Sequence, residues 1–557
     1  MALSKNFRRT GRRYLQFRME CYNWFNHANL ANPGGIDELG GLRPQRESHH
    51  AGDPAGGVLM LTTRRRFAEA IGAAAIAPAI LRGAVKPNVL FILMDDLGYP
   101  SLGCFGNQYA PTPNLDRLAG EGVRFTSAYV TPQCTPTRST LLTGQYTARN
   151  RMWHVIPWYG YPYGRVAEPP YGENLSRDAF TLAKGMKTAG YATACIGKWH
   201  LTTNQDGSYV GLNPAASHFY GFDTVQTPAK DPREHATGDK SVNRFTDEAI
   251  AFIERNRNQP WFCYLPHHSI HGPVAAPEEL VRKYSARGYP ETGLNNATYL
   301  AAIEHFDTAI GRLLGALDRS GQRDRTMVVF LSDNGGVHRN YGPKPEVSER
   351  GPRMAPHETQ FSNAPLRAGK GFSYEGGIRV PMTVRWPGVA RAGTVCHTPV
   401  HAVDLMPTLF AMSGAATPSA YPTDGVSLLP LLEGGSLAAR PLYWYMPFYD
   451  VRWLSTPNAI VRDGDYKLIE SFGDYIEEDT GNYRVGRRLE LFDLRKDLGE
   501  KTNLAERMPE RASRMSRQLH EWIRSTGAQV PKLNPRYDHM RALEETRSRA
   551  SSEASRI

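Results

Sequence analysis

Asn88–Met94, "NVLFILM", is a nearly unbroken apolar run that stops at two acids, Asp95 and Asp96. A continuous run of this length, ending in acids, fits a strand buried on both faces, as in parallel sheets. About 240 residues later "TMVVFLS" repeats the pattern and stops at Asp333 and Asn334. Between the two, helix and strand patterns alternate. "TPNLDRLAGEG" leads to "VRFTSAYV", "AFTLAKGMKTAG" to "YATACIGKWH" and "SVNRFTDEAIAFIERN" to "PWFCYLPHHS". The long helix "ATYLAAIEHFDTAIGRLLGALDRSG" then precedes the second acid-ended run. Such alternation predicts an α/β fold, a large and mostly parallel sheet with helices on both faces.

The pattern changes near residue 440. "PLYWYMPFY", "NAIVRDGDYKLIES" and "RRLELFDLRKD" read as short strands, with a hairpin turn at Asp463-Gly464, and "PERASRMSRQLHEWIRST" reads as a helix. These predict a small antiparallel sheet plus helix over 440–534, after a main domain at 86–439 and before a charged, disordered tail at 535–557. The net charge is +11, but residues 1–85 carry 12 Lys/Arg against 6 Asp/Glu, so the main body is only weakly basic. No basic run with interleaved aromatics appears, which argues against a nucleic-acid partner. The six cysteines show no CxxC pair and no zinc-finger spacing.

In an open parallel sheet, ligands gather beyond the carboxyl ends of the strands. Asp95, Asp96, Asp333 and Asn334 can therefore meet. Three carboxylates and an amide oxygen make an all-oxygen site suited to Ca²⁺ or Mg²⁺ rather than zinc. The alternative is that each acid only caps the turn after its strand. A second focus is "CTPTRSTLLTGQY" from Cys134. Thr135 fits an N-cap, Pro136 the first helical position and Gly144 the stop. Cys134 would then lie just ahead of a helix N-terminus, with Arg138 a turn later. That is an anion pocket in which a bare thiol would be acidic and nucleophilic. A packed structural cysteine is the other reading.

Cys134-Thr-Pro136-Thr-Arg138, followed by "STLLTG", closely resembles the sulfatase signature, in which the cysteine becomes formylglycine. "NVLFILMDDLGY", "TPNLDRLAGEGVRFTSAYV", "GKWHL", "SDNGG", "PLRAGKGFSYEGGIRVP" and "HAVDLMPTLFAMSG" are similar to further family segments, in order. The resemblance, to the arylsulfatase branch of the alkaline-phosphatase-like superfamily, spans most of 86–530. It implies a large mixed, mostly parallel sheet sandwiched by helices. It also implies a divalent cation, Ca²⁺ with Mg²⁺ as alternative, on Asp95, Asp96, Asp333 and Asn334, and a formylglycine-generating enzyme as partner. One hydroxyl of the hydrated aldehyde would attack sulfur, and deprotonation of the other would expel sulfate. By the same resemblance Arg138 orients the diol, Lys198 faces sulfate and diol, and His200 is the base. His271 and Lys370 would contact sulfate, with His271 protonating the leaving oxygen. His267 and His268 are neighbouring alternatives to His271. Arg379 is read as structural, bridging loops.

The segment "RMWHVIPWYGYPYGRVAEPPYGENL" is dense in aromatics and reads either as a wall over the site mouth or as a loop packing on itself. Three functions remain open: a hydrolase of small-molecule or glycan sulfate esters, a phosphonate or phosphate-diester hydrolase, and a non-catalytic binder of sulfated glycans. The filled set of charged positions argues against the last. "TTRRRFAEAIGAAAIAPAIL", within 60–85, resembles a twin-arginine export signal and is too short for a membrane span. It predicts a periplasmic or secreted enzyme, cleaved after Ala79 or Ala84. Residues 1–59 then read as disordered, or as lying upstream of a true start at Met60. Modification before folding, followed by export of the folded protein, is consistent with that route.

Overall fold

The computed structural model describes residues 2–8, 14–20 and 86–541, apart from gaps at 158–161, 205–210, 229–236, 478–482 and 539 and shorter ones within 339–360 and 451–454. Residues 1–82 and 83–557 form separate units. In the first, Ala2–Arg8 pairs antiparallel with Tyr14–Glu20. The segment read as an export signal up to residue 85, most of 1–59 and the tail residues 542–557 lie outside the described residues.

The second unit is built on a nine-stranded sheet. Its strands are β1 (Asn88–Met94), β2 (Val123–Tyr129), β3 (Ala192–Ile196), β4 (Thr224–Gln226) and β5 (Trp261–Pro266). They continue with β6 (Thr326–Ser332), β7 (Arg379–Arg385), β8 (Thr394–Cys396) and β9 (Val400–His401). The spatial order is β8-β2-β7-β6-β1-β5-β3-β4, with β9 also on β2. β7 runs antiparallel to both β2 and β6, and the other described pairings in this sheet are parallel. The sheet is thus mixed and mostly parallel.

The apolar run of β1 lies at the centre, buried along its whole length. Alternate side chains serve opposite faces. Val89, Phe91 and Leu93 join a core with Leu141 and Leu142 of helix α1 (Cys134–Thr143). Leu90, Ile92 and Met94 join another with Phe245 of α2 (Val242–Arg255) and Phe306 and Ile310 of α3 (Ala297–Arg319). At about 1.5–3 kcal/mol for each large apolar side chain buried, β1 alone contributes on the scale of the whole net stability of a domain.

The C-terminal sheet consists of β10 (Leu442–Met446), β11 (Asn458–Asp463), β12 (Tyr466–Ser471) and β13 (Arg488–Asp493), paired antiparallel in that order. Asp463 and Gly464 make the β11–β12 turn, with Gly464 at φ 60°. Helix α4 (Pro509–Ser525) packs on this sheet. Among the described residues no helix is long and apolar enough to cross a membrane.

Candidate active site

Strand register explains how distant residues meet. Met94 pairs with Ser332 across β1 and β6, so Asp95–Asp96 and Asp333–Asn334 emerge side by side. Leu93 pairs with Pro266, which delivers His267, His268 and His271 from β5 to the same edge. The Lys198 N–H donates to the Pro266 carbonyl (2.8 Å), bringing Lys198 and His200 from β3. β7 is reversed, so the residues ahead of it, Lys370 included, reach this edge as well.

Asp95 Oδ2 accepts from Lys198 Nζ (2.6 Å) and lies 3.7 Å from Arg138 Nη2. Asp333 Oδ2 accepts from Arg138 Nε (3.1 Å) and Nη2 (2.8 Å), and Arg138 Nη1 donates to the Lys198 carbonyl (2.8 Å). Asp96 accepts from Lys370 Nζ (2.7 and 2.8 Å) and from Asn334 Nδ2 (2.8 Å). Cys134 Sγ is 3.3 Å from Asp95 Oδ1. Asp96 and His200 hold left-handed backbones (φ 61° and 57°), uncommon away from glycine and frequent at functional sites.

The structure therefore brings together Asp95, Asp96, Cys134, Arg138, Lys198, Asp333, Asn334 and Lys370. His271 stands at the edge, 36% exposed, with Nε2 4.0 Å from Asp96 Oδ2 and Nδ1–H donating to the Gly272 carbonyl (2.8 Å). His200 is buried, and its Nε2–H donates to the Ile156 carbonyl (2.9 Å), which makes Nδ1 the basic nitrogen. His267 is buried against Phe306 and Phe245. His268 shares the electrostatic environment of Lys240, Lys198 and Asp95.

The electrostatics follow from burial and pairing. Burial opposes ionisation of Asp95, yet Lys198, His271, Arg138 and Lys370 hold it well below the usual carboxylate range. Burial, and then the neighbouring Asp95, push Asp333 up. Burial, with Lys198 and Arg138, keeps His200 neutral. Partial desolvation and the Lys198 and Lys370 ammonium groups also disfavour the His271 imidazolium, an effect that solvent at its exposed edge moderates.

Two expectations about Cys134 need correction. Helix α1 begins at Cys134 itself, with Gln133 at the N-cap position and no side-chain cap, so Thr135 is already helical. Its hydroxyl donates instead to the His200 carbonyl (2.9 Å). Gly144, at φ 64°, does end the helix. The thiol is also not acidic. Burial first, then Asp333 and Asp95, push it well above its ordinary value, outweighing the helix N-terminus. Lys240, 5% exposed and just ahead of α2, is a charged neighbour that sequence reading missed; a lone lysine before a helix carries no signal. Burial, chiefly, pulls it down to about 8.

Four ligand atoms, from Asp95, Asp96, Cys134 and Asp333, lie within 4.8 Å of one another. Asn334 Oδ1 is buried beside them and has no hydrogen-bond partner among the described residues. An orphaned amide oxygen next to three carboxylates fits a hard cation. Of the aromatic segment, Trp153 is buried and packs edge-on against Tyr445 (5.3 Å), so this ring faces the interior. Trp158, Tyr159 and Tyr161 lie outside the described residues.

Known proteins share this fold. The fold matches the crystal structure of Ps i-CgsB in complex with k-i-k-neocarrahexaose, with TM-score 0.61 and 24% identity over 84% of this chain and 98% of that one. It also matches the phosphonate monoester hydrolase of Silicibacter pomeroyi, with TM-score 0.58 and 20% identity over 81% and 100%. These likenesses define the fold class, an α/β fold with a large mixed, mostly parallel sheet flanked by helices and a small C-terminal antiparallel sheet. The Sulfatase family profile matches residues 87–415, and the profile of the N-sulphoglucosamine sulphohydrolase C-terminal region matches 368–529. A sulfatase of Formosa agariphila is 30% identical over 79% of this chain and 89% of its own length. Human N-acetylgalactosamine-6-sulfatase is 32% identical over 64% and 68%. The chain belongs to the sulfatase family, the hydrolases of sulfate esters.

Proposed function

We propose that the chain hydrolyses sulfate esters to an alcohol and inorganic sulfate with formylglycine hydrate, made from Cys134, as nucleophile. The observation that carries this reading is the setting of Cys134: buried, at a helix N-terminus, 3.3 Å from Asp95 and clustered with Asp96 and Asp333. A divalent cation, Ca²⁺ with Mg²⁺ as alternative, on Asp95, Asp96, Asp333 and Asn334 would supply positive charge against a sulfate oxygen and the diol. The three carboxylates there face three fixed cations, Arg138, Lys198 and Lys370. Their charges balance, so a bound divalent ion leaves the site net positive, as an anionic ester requires. Arg138, locked on Asp333 and the Lys198 carbonyl, orients the nucleophile. Lys198 and Lys370 hold sulfate oxygens. His200, neutral, takes a proton at Nδ1. His271, at the open side, gives a proton from Nε2 to the leaving oxygen, and the arriving anion favours its protonated form.

Relatives named for a sulfated amino sugar and for aryl and steryl sulfates support a sugar or aryl sulfate ester as substrate. The test is the mass of the Cys134 peptide from the native host, read beside turnover of 4-nitrophenyl sulfate and of the phosphonate monoester 4-nitrophenyl phenylphosphonate. Full activity with an unmodified thiol would overturn the nucleophile. Preference for the phosphonate would move the reading to the phosphonate monoester hydrolases.

From the sequence alone we also propose export by Arg64, Arg65 and Arg66 and the apolar run after them, to the periplasm or beyond. Fractionation of cells making the triple lysine variant checks this; unchanged export would sink it.

A further inference from the structure

We propose that Lys240 is a positioning residue for His271, a buried ammonium that fixes where the leaving-group histidine stands. The inference rests on the assignment of His271 as the proton donor. Lys240 Nζ donates to the backbone carbonyls of His271 and of Pro273, the latter at 2.9 Å. It therefore grips the chain on both sides of Gly272, next to the histidine. Among the described residues no carboxylate lies within ion-pair distance of it. A buried lysine without an acid partner is costly to a fold, and here its donors serve one loop.

The segment carrying Lys240 is itself rigidly set. Lys240 and Ser241 both hold left-handed backbones (φ 50° and 62°), a conformation that packing must enforce. Gly238, at φ 72°, lies so close to the 271–277 loop that a Cβ would fall 2.0 Å from the Ala276 carbonyl oxygen. Asp239 is tied to His305 of α3 at 2.7 Å. Residues 238–241 are thus anchored to the helical layer on one side and pressed on the histidine loop on the other. His271 needs such support. Its side chain is 36% exposed, its Nε2 is 4.0 Å from Asp96 Oδ2, and its hydrogen bonds apart from the one from Lys240 are to Gly272 and His268 in its own loop.

The experiment uses the converted, metal-loaded enzyme and two esters that differ in their need for a proton donor. 4-Nitrophenolate leaves unaided, whereas an alkoxide requires protonation. With general-acid catalysis contributing about 10²–10⁴-fold, Lys240→Met should lower kcat/KM on an alkyl sulfate at least roughly tenfold more than on 4-nitrophenyl sulfate. Lys240→Arg, which keeps a charged donor, should recover part of that difference. His271→Ala, run in parallel, should show the same leaving-group signature, and the Lys240→Met/His271→Ala double variant should lose little more. Equal losses on both esters would reduce Lys240 to a structural brace and overturn the proposal, as would no loss. If His271→Ala shows no signature, the proton-donor assignment falls and the proposal with it. If His271→Ala shows it and Lys240→Met does not, the proposal alone falls. Should Lys240→Met fail to fold, Lys240→Gln reads the same ratio.

Discussion

At the scale of single residues, the site turns on how buried charges are matched. Asp333 serves two partners, the fork of Arg138 and the proposed cation. Asp333→Ala should abolish cation binding and turnover and destabilise the fold by about 3–5 kcal/mol, because a buried guanidinium loses its partner. Urea titration beside metal analysis checks both effects, and Asp333→Asn should cost less, since its amide oxygen can still accept from Arg138. Chelation should lower Tm, for a reason the sequence did not convey. The carboxylates do not simply repel one another once the ion is gone, because Arg138, Lys198 and Lys370 already face them. The loss is instead the linkage free energy of a ligand bound only by the folded state, about 2.7 kcal/mol at a hundred times its dissociation constant. Calorimetry with and without chelator measures it. Acid-ended strands were readable from local sequence because strand polarity alone sends those acids to one edge. The high pKa of Cys134 was not, since it depends on carboxylates that arrive from 39 and 199 residues away along the chain.

At the scale of elements, turns and caps decide how accurately the ends of strands present their side chains. Gly371, next to Lys370, holds φ 84°, and a Cβ there would fall 2.1 Å from that of Trp453. Gly371→Ala should therefore shift the Lys370 loop, raising KM for the sulfate ester and lowering Tm; steady-state kinetics and a melt test this. His401 at the end of β9 makes a capping box with Asp404, its Nδ1 accepting from the Val403 N–H (3.3 Å). Burial, and then Arg440, push His401 down to about 3. Unfolded, it titrates near 6.5, so its contribution is complete above about pH 6.5 and is lost as pH falls toward 3, by about 1.4 kcal/mol per pH unit. His401→Asn, which keeps an acceptor that does not titrate, should flatten the urea-midpoint profile across that window. Elements with long periodic patterns were legible, α3 and β1 above all. The start of α1 was misread because Thr before Pro mimics a cap, whereas the structure turns that hydroxyl toward the His200 carbonyl.

At the scale of the whole molecule, a buried ionic junction joins the C-terminal sheet to the main one. Glu375, just ahead of β7, accepts from Lys467 of β12 (3.1 Å) and from the Tyr129 hydroxyl of β2 (2.6 Å), and Lys467 also pairs with Glu500 (2.7 Å). Arg462 of β11 bonds the same Tyr129 hydroxyl. Arg379 of β7 joins through Glu375 Oε2 (3.4 Å) and also donates to the Thr126 carbonyl of β2 (2.7 Å). Lys467→Met would leave two carboxylates facing each other in the interior, and a loss of about 3–5 kcal/mol in urea unfolding is expected. No local pattern could have announced this cluster, because its members are scattered from 129 to 500. The topology also sets a clock. The central strand β1 is made first, but its neighbour β6 ends about 200 residues after Cys134. At roughly 5–20 residues per second of synthesis, that interval is about 10–40 s. Until β6 arrives the edge that will enclose the cysteine has no second wall, so the proposed modification of Cys134 has tens of seconds of open access during synthesis.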